Sequence, residues 1–410
     1  MNDSQGTPHD VAEIFRKDIK KFRRSHNLSY EQNQAVSAII SCRTPALGGV
    51  LNLCDNNDCR HWDFCYKSCK DRNCPKCGAF EKAQWLESQQ IWLLPISYFH
   101  VVFTIDHLFN PLVWRNQEVM YTFLIQTAVQ ILKEYGKKYL GGEMGFTMVL
   151  HTWGQTLQEH PHLHFIVTGG ALVSTPNGYR WQAAKRKFLF DAPALSKDFR
   201  RMFCEGLLKI WQADSLDTNE DQLDVAQIVA AAEAKNWEVF IQPPIYGVQK
   251  LLEYLGRYIF RIAISNHRIV SVKGDQVTFT YYDNRDKSES KPLKKMTLST
   301  MEFMRRFLLH VLPNHFVRIR HFGLHQGSCR KKLQIARHLL GQPSELPVIA
   351  KLKLLDWLHK ILKTEDDPRL CPVCHKGILI KVREFGPMSN LHAILLPFIG
   401  SFVRWNVSNV

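Results

Sequence analysis

The sequence predicts an α+β protein of two or three domains. Segments with strand patterns and segments with helix patterns intermix along the 410 residues without strict alternation, which favours the α+β class. The hydrophobic fraction, 45%, is ample for a packed core. A cysteine-dense segment in the first quarter of the chain predicts an additional small unit that is held together by metal.

The helices are predicted from apolar side chains that recur at helical spacing. Residues 10–42 come first and are amphipathic, and a helix over 79–92 ends near Pro95. A helix over 112–135 ends at the glycine pair 141–142. Further helices are predicted over residues 214–235, 248–260 and 301–311.

The strands are predicted from β-branched and aromatic runs. Residues 98–105 form such a run, which is typical of a buried strand, and residues 146–152 and 162–168 form two more. Residues 269–282 alternate in polarity on either side of Gly274-Asp275, which predicts a hairpin.

The charge balance favours a nucleic acid as partner. Lys and Arg outnumber Asp and Glu by 53 to 38, giving a net charge of +15, and so basic a surface attracts a polyanion. A basic enzyme without such a partner is the alternative. The first residues lack the apolar run of a signal peptide, and the apolar stretch 391–403 is too short to span a bilayer. We therefore expect a cytoplasmic protein, associated with the nucleoid when it is bound to DNA.

Eleven cysteines in a reducing compartment indicate metal binding rather than disulfides. Six of them fall between residues 54 and 77 and compete for the four places of a tetrahedral zinc site. The Cys-Pro-Lys-Cys knuckle at residues 74–77 is the strongest signal among them. The predicted ligands are Cys54, Cys59, Cys74 and Cys77, with Cys69 as the substitute. Buried free cysteines are the alternative.

Two neighbouring features extend this prediction. Cys371 and Cys374 form half of a second site, with no second pair nearby in the sequence. Within the first cysteine segment, basic side chains suggest contact with phosphate. They are Lys67, Lys70, Arg72 and Lys76.

A histidine cluster predicts a second kind of metal site. On a strand, His162 and His164 share one face while Leu163 turns to the core. If the preceding strand pairs antiparallel with His151 opposite His162, three imidazoles converge and leave positions open for substrate oxygens and water. His160 precedes a proline at the strand's entry and is a weaker candidate. Such ligands also accept zinc, nickel or copper, so they do not identify the working metal. Half-exposed strand histidines are the alternative.

A tyrosine pair lies on the helix predicted over 248–260. Tyr254 and Tyr258 are separated by four residues, so they stack on one face, and Arg261 continues that face. A phenol, with a pKa of about 10, needs a nearby cation or metal to become a nucleophile. Packing or hydrogen bonding is the alternative role for such a pair.

Taken together, these motifs resemble the rolling-circle transposases of the insertion-sequence ninety-one family, within the class of HUH endonucleases. The similarity extends over residues 35–330. It rests on Tyr-Phe-His-Val-Val-Phe-Thr at 98–104, His-Thr-Trp-Gly-Gln-Thr-Leu at 151–157, His-Pro-His-Leu-His at 160–164 and Tyr-Leu-Gly-Arg-Tyr at 254–258.

The resemblance implies a ferredoxin-like nuclease core with a central antiparallel sheet, preceded by a small zinc-binding domain. The implied division is an N-terminal helical and zinc-binding domain (1–95), a nuclease domain (96–325) and a C-terminal region with a possible second zinc knuckle (326–410). His162 and His164 match the family's metal ligands and His151 is the third, with Gln155, Gln158 and Glu159 as alternatives. Tyr254 and Tyr258 match the nucleophiles.

The resemblance also implies an activity. With Mg²⁺ or Mn²⁺, a tyrosine would cut single-stranded DNA at transposon ends and target, leaving a 5′-phosphotyrosine, while zinc is structural. A rolling-circle replication initiator would use the same chemistry. Other rivals are a transposase that uses three carboxylates and a non-catalytic zinc-containing DNA-binding regulator. The residues predicted to hold DNA are Arg257, Arg261, Arg305, Arg306, Arg318 and Arg320.

Overall fold

The computed structural model describes residues 9–185, 187–218, 223–258, 261–283, 292–347, 367 and 369–387, with the backbone alone for residues 80, 257 and 258. The helices are α1 (Val11–Ser25), α2 (Tyr30–Ser41), α3 (Ala79–Gln89), α4 (Asn110–Arg115), α5 (Gln117–Tyr135), α6 (Ala192–Gln212), α7 (Val225–Glu233), α8 (Val248–Tyr258), α9 (Thr300–Leu308) and α10 (Arg330–Leu339). The strands are β1 (Gly49–Cys54), β2 (Trp62–Tyr66), β3 (Ser97–Thr104), β4 (Gly145–Trp153), β5 (Glu159–Thr168), β6 (Gly170–Thr175), β7 (Gly178–Ala183), β8 (Val239–Ile241), β9 (Ile245–Tyr246), β10 (Ile269–Lys273), β11 (Gln276–Tyr282), β12 (Leu293–Ser299), β13 (Ile319–Gly323) and β14 (Leu379–Phe385).

A central antiparallel sheet organises the molecule and confirms the α+β class. Its strand order is β13-β4-β5-β3-β8, and β9 lies beside the start of β3. The order brings together strands that lie far apart in the sequence, because β13 is added at one edge and β8 at the other. Of the described helices, none is both long and apolar enough to cross a membrane.

The two faces of the central sheet differ in character. On one face, alternate side chains such as Phe103, Leu150 and Leu163 pack against α5, α6 and α7 in the largest core of the described chain. On the other face, Val149 and Ile166 pack against α8 and α3. The histidines of the predicted metal site have the parity of this second face. Helix α8, which carries the tyrosine pair, therefore covers the face on which those histidines lie.

The N-terminal helices share a core with a distant part of the chain. Phe15 and Phe22 of α1 are buried with Phe279 of β11 and Phe307 of α9. Asp10 caps α1, and a capping box at Ser29 begins α2. The division predicted at residue 95 thus separates residues that pack in one core.

The described C-terminal residues pair with a strand from the N-terminal part of the chain. Strand β14 pairs antiparallel with β1, which pairs with β2. Phe385 of β14 packs on Phe64 of β2, with ring centroids 5.8 Å apart. The C-terminal segment of 369–387 therefore completes a sheet that begins before residue 66.

Candidate metal centre and tyrosine helix

The antiparallel pairing of β4 and β5 brings the three predicted histidines together. His151 lies directly opposite His162, and Val149 lies opposite His164, so the predicted register is confirmed. A nitrogen from each of the three imidazoles falls within one group whose atoms all lie within 4.8 Å of one another. Two metal-bound nitrogens at about 2.1 Å from one ion are about 3–4 Å apart. The cluster therefore fits a divalent cation with only small side-chain movements.

Hydrogen bonds orient two of these rings. His162 Nδ1 lies 2.6 Å from the carbonyl oxygen of His160, and His164 Nδ1 lies 2.8 Å from Nε2 of His100. Contacts of this kind fix the tautomer of a metal-binding imidazole. Since Nδ1 is used in both rings, Nε2 is the nitrogen through which each would hold a metal. His151 is buried and stacks on Trp153 at 4.8 Å.

The surroundings keep two of the imidazoles, those of His162 and His164, neutral. Burial lowers the pKa of His162 to about 3, and Arg261 is among the nearby cations that add to this effect. Burial, reinforced by the neighbouring histidines, holds the pKa of His164 well below its ordinary value. A neutral imidazole is the form that binds metal. The site is therefore prepared for a cation rather than for an anion.

The hydroxyl of Tyr254 reaches this cluster through one intervening residue. Helix α8 buries Leu251, Leu252 and Leu255 against the sheet, which turns Tyr254 toward His100. The Tyr254 hydroxyl lies 2.5 Å from His100 Nδ1 and donates to Gln242 Oε1 at 2.5 Å. A continuous line of polar contacts thus runs from Tyr254 through His100 to His164.

Sequence reasoning missed His100 and Gln242 as site residues. His100 stands in the motif at 98–104, but its role depends on β3 lying beside β5, where Val102 is opposite His164. Gln242 follows β8 and its backbone N–H donates to the His100 carbonyl at 2.9 Å. The available signal for His100 was a histidine within an otherwise apolar predicted strand. It stands two positions before Val102, the residue opposite His164. We find no local signal for Gln242.

The cysteines form two clusters of four rather than the single site expected. Cys42, Cys69, Cys74 and Cys77 make the first cluster, and Cys54, Cys59, Cys371 and Cys374 make the second. The expectation that Cys54 and Cys59 join Cys74 and Cys77 is therefore not met. The reason is that β1 ends beside β14, which delivers the distant pair, while the end of α2 delivers Cys42 to the knuckle. Cys65 is exposed and belongs to neither cluster.

Two segments of the chain match models of transposase families. Residues 14–105 match a family model described as "Transposase zinc-binding domain", and residues 145–332 match one described as "Putative transposase". The chain is 38% identical over 388 residues to the "Putative transposase y4qJ" of Sinorhizobium fredii, covering 92% of this chain and 95% of that protein. The chain belongs to the insertion-sequence ninety-one (IS91) family of transposases.

A second relative agrees with this assignment. The transposase is 28% identical over 295 residues to the "Transposase for insertion sequence element IS801" of Pseudomonas savastanoi, covering 71% of this chain and 69% of that one. No solved structure matches the chain. The segment 14–105, which matches the zinc-binding model, contains Cys42, Cys54, Cys59, Cys74 and Cys77. The transposase therefore carries the family's zinc-binding domain.

The arginines predicted to hold DNA have different surroundings in the transposase. Arg261 is exposed and close enough to His162 and His164 to lower their pKa values. Arg305 and Arg306 both contact Glu302, at 2.7 Å each. The side chains of Arg257 and Tyr258 lie outside the part of the chain that the structure describes.

The other two arginines of the set make contacts within the protein. Arg318 donates to the carbonyl oxygen of Arg261 at 3.0 Å and lies over Trp153. Arg320 donates to the Val317 carbonyl oxygen and lies over Phe316. Arg261 is therefore the member of the set whose exposure and position best suit contact with a phosphate at the cluster.

Three of the four basic residues named in the cysteine segment make internal contacts. Arg72 donates to the carbonyl oxygens of Leu312, Pro313 and Phe316. Lys76 pairs with Asp10 at 2.6 Å, and Lys67 pairs with Glu384 at 2.7 Å. These three side chains connect the cysteine segment to neighbouring elements. The contacts explain the basic residues without requiring a contact to DNA.

The alternative third ligands line a cleft at the turn between β4 and β5. Gln155, Gln158 and Glu159 all border it, and Glu159 is absent from the three-histidine group. Burial raises the pKa of Glu159 to about 7. His160 borders the same cleft and is exposed. Among the described residues, His151 is thus the third side chain that the fold brings to His162 and His164.

Proposed function

We propose that the transposase cuts and rejoins single-stranded DNA through a 5′-phosphotyrosine and so mobilises its insertion sequence by a rolling-circle mechanism. The observation that carries this proposal is the line of contacts from the Tyr254 hydroxyl through His100 to His164, a member of the three-histidine cluster. A regulator that only binds DNA needs neither the cluster nor a phenol beside it. Membership of the transposase family favours this function over a replication initiator with the same chemistry.

His151, His162 and His164 would hold the catalytic metal, for which we propose Mg²⁺ or Mn²⁺. When bound, such an ion supplies Lewis-acid polarisation of the scissile phosphate. The protein's share is to present neutral, oriented imidazoles on a rigid sheet, which the His160 carbonyl and His100 do for two of the three rings. Three protein ligands leave coordination positions for phosphate oxygens.

A metal held by Nε2 of His164 would leave the proton of that ring on Nδ1. His164 Nδ1–H would then donate to His100 Nε2, and His100 Nδ1–H would donate to the Tyr254 oxygen, which itself donates to Gln242 Oε1. The phenol oxygen is thereby held at a fixed place with a donor on one side. The contact with His100 therefore positions the oxygen that attacks.

In the cleavage step, the tyrosine oxygen forms a bond to phosphorus as the bond from phosphorus to the 3′ oxygen breaks. The phenol loses one proton and the departing 3′ oxygen gains one, so the reaction is balanced and consumes no cofactor. The phosphodiester's free energy is retained in the tyrosine ester, and attack by a 3′-hydroxyl reverses the step. Arg261 would hold the phosphate from the exposed side. Tyr258, one turn along α8, is the proposed second nucleophile.

Zinc has a structural role in this proposal. The thiols of this group lie at the end of α2 (Cys42), in the loop after β2 (Cys69) and in the knuckle (Cys74 and Cys77), and Cys69 Sγ lies 3.7 Å from Cys77 Sγ. The Cys74 thiol donates to Cys69 and lowers the pKa of Cys69 to about 5. A thiolate in such a group is the form that binds zinc.

The metal cluster is tested by His162→Ala and His164→Ala. Both variants should lose Mn²⁺-dependent cleavage of single-stranded transposon ends, by at least a hundredfold, while DNA affinity stays within about threefold because basic residues carry it. The matched control is His160→Ala, which removes an exposed imidazole from the same strand outside the group and should retain cleavage. Wild-type cleavage rates in both test variants would mean that the histidines are structural.

A further inference from the structure

The second cysteine cluster joins the two ends of the described chain. Cys54 and Cys59 flank the turn after β1, whereas Cys371 and Cys374 precede β14, more than 310 positions later. Sγ of Cys54 lies 3.6 Å from Sγ of Cys374, and Sγ of Cys59 lies 3.8 Å from Sγ of Cys371. The family's zinc-binding domain, matched over 14–105, contains only one half of this group.

The sulfur separations fit a tetrahedral ion and exclude disulfides. A disulfide requires about 2.05 Å between sulfurs, and all four cysteines carry free thiols. Four thiolates at about 2.3 Å from one zinc ion are about 3.8 Å apart, which is close to both of these separations. Four sulfurs with no carboxylate among them select zinc over magnesium, calcium or manganese.

The backbone around the group has the turn geometry of the first cluster. In the first cluster, Arg43, Lys70 and Gly78 each follow a cysteine directly and have φ of 55°, 56° and 90°. In the second, Arg60 and His375 also follow a cysteine directly and have φ of 43° and 52°. Left-handed backbone in non-glycine residues persists only where its surroundings hold it. Here it lets backbone N–H groups turn toward sulfur.

Local hydrogen bonds hold the second cysteine cluster together. The N–H of Gly377 points at Cys374 Sγ at 3.4 Å, and Asp55 Oδ1 accepts from the Ile378 N–H at 2.8 Å. A Cβ on Gly377 would lie 2.6 Å from Cys54 Sγ, so only glycine fits beside the sulfur. The distant pair is therefore built into one compact site with Cys54, rather than lying near it by chance.

We infer that Cys54, Cys59, Cys371 and Cys374 bind a second structural zinc ion, which fastens the C-terminal strand β14 to β1 of the zinc-binding domain. On binding, four thiols release their protons and four zinc–sulfur bonds form. The ion closes a loop of more than 310 residues, and Lys67, the residue after β2, supports the same contact by pairing with Glu384 of β14. The N-terminal domain alone holds one complete zinc site, and the full chain holds two.

Zinc content of the full-length protein tests this inference. All variants are made in a His162→Ala/His164→Ala background, because those histidines can also take zinc, and are purified without chelator. Elemental analysis should find two zinc ions in this parent, one after Cys371→Ser, one after Cys54→Ser, and still one after both substitutions together. Adding Cys74→Ser to Cys371→Ser should remove the remaining ion. Cys65→Ser, in the same hairpin but in neither cluster, is the matched control and should keep two.

Cobalt replacement gives a second, spectroscopic measurement of the number of four-thiolate sites. The sulfur-to-cobalt absorption of the cobalt-loaded parent should have about twice the intensity expected of one four-thiolate site, and Cys371→Ser should halve it. A parent with one zinc ion, or a Cys371→Ser variant with the parent's zinc content, would overturn the inference. Neither result would bear on the phosphotyrosine chemistry, which depends on other residues.

Discussion

At the scale of single residues, the imidazole of His100 has the most demanding position in the site. It is 2% exposed, lies between a metal-site histidine and a phenol, and contacts both through its two ring nitrogens. Burial lowers the pKa of His100 to about 4, so the ring is neutral at physiological pH. A neutral imidazole has one donor and one acceptor, which is what its two neighbours require. We therefore treat His100 as a positioning residue for His164 and Tyr254.

His100→Phe keeps a buried ring of similar size and removes both ring nitrogens. We expect Mn²⁺ affinity to fall by about 10–100-fold, as is usual when the partner of a metal ligand is lost. At saturating Mn²⁺, formation of the covalent adduct should still be slow, because Tyr254 has lost the hydrogen bond to His100 that positions its oxygen. Calorimetric Mn²⁺ titration and single-turnover cleavage measure the two effects separately.

The matched control is His321→Phe. His321 lies on the same face of the sheet and contacts Thr147, outside the three-histidine group. It should leave Mn²⁺ affinity unchanged. If His100→Phe bound Mn²⁺ and formed adduct as the wild type does, the line of contacts through His100 would have no role.

The sequence predicted part of this site for a definite physical reason. His151, His162 and His164 follow from strand parity and from the pairing of two consecutive strands, both of which are local properties. His100 requires the additional knowledge that β3 lies beside β5, which is a property of the whole sheet. The same limit explains the cysteines, where Cys42 and the pair 371/374 come from outside the dense segment.

At the scale of elements, strongly periodic segments were predicted well and their ends less well. The strands over 98–105, 146–152 and 162–168 and the hairpin around Gly274 are all present. The helix expected over 10–42 is divided in two, because Ser29 begins a new helix with its own capping box. The longest described helix, α6, was not predicted, although Asp191 and Pro193 mark its start and its apolar stripe is buried against α5.

His310, just after α9, shows how one buried side chain ties elements together. Its Nε2 lies 3.0 Å from the Leu157 carbonyl oxygen and its Nδ1 lies 3.1 Å from the Thr152 hydroxyl, so the neutral ring donates at one nitrogen and accepts at the other. Burial lowers its pKa to about 4. Arg72 and Arg318 line the same small cavity. Protonation of His310 would therefore break one hydrogen bond beside two cations.

This arrangement predicts a pH dependence of stability. Between pH 6.5 and 4 the unfolded chain protonates this histidine while the folded chain does not, so the free energy of unfolding falls as the pH falls through that window. From pH 7 to pH 5 the loss from His310 alone is about 2 kcal/mol. In His310→Gln, which keeps a donor and an acceptor, the dependence measured by denaturant unfolding should be shallower by that amount. Equal slopes in the two proteins would contradict the assignment, and His107→Gln, an exposed histidine, is the control.

At the scale of the whole molecule, the N-terminal segment packs with two distant parts of the described chain. Helices α1 and α2 share a core with α9 and β11, and β14 extends the sheet of β1 and β2. The position of Tyr254 also depends on packing between distant segments, because the leucines of α8 hold this helix on the histidine face of the central sheet.

The decisive measurement is the identity of the residue that becomes attached to DNA. The full-length transposase is incubated with Mn²⁺ and a single-stranded suicide oligonucleotide that traps the cleaved intermediate, and the linked peptide is identified by mass spectrometry. We predict a 5′-phosphate ester on Tyr254 or Tyr258. If both attack, each Tyr→Phe single variant still forms an adduct in one half-reaction; if one attacks, its variant forms none. The double variant should form no adduct in either case, while Tyr246→Phe, an exposed tyrosine just before α8, should behave as the wild type. Intact cleavage with an adduct on neither Tyr254 nor Tyr258 would contradict the account, because water or another side chain would then be the attacking group.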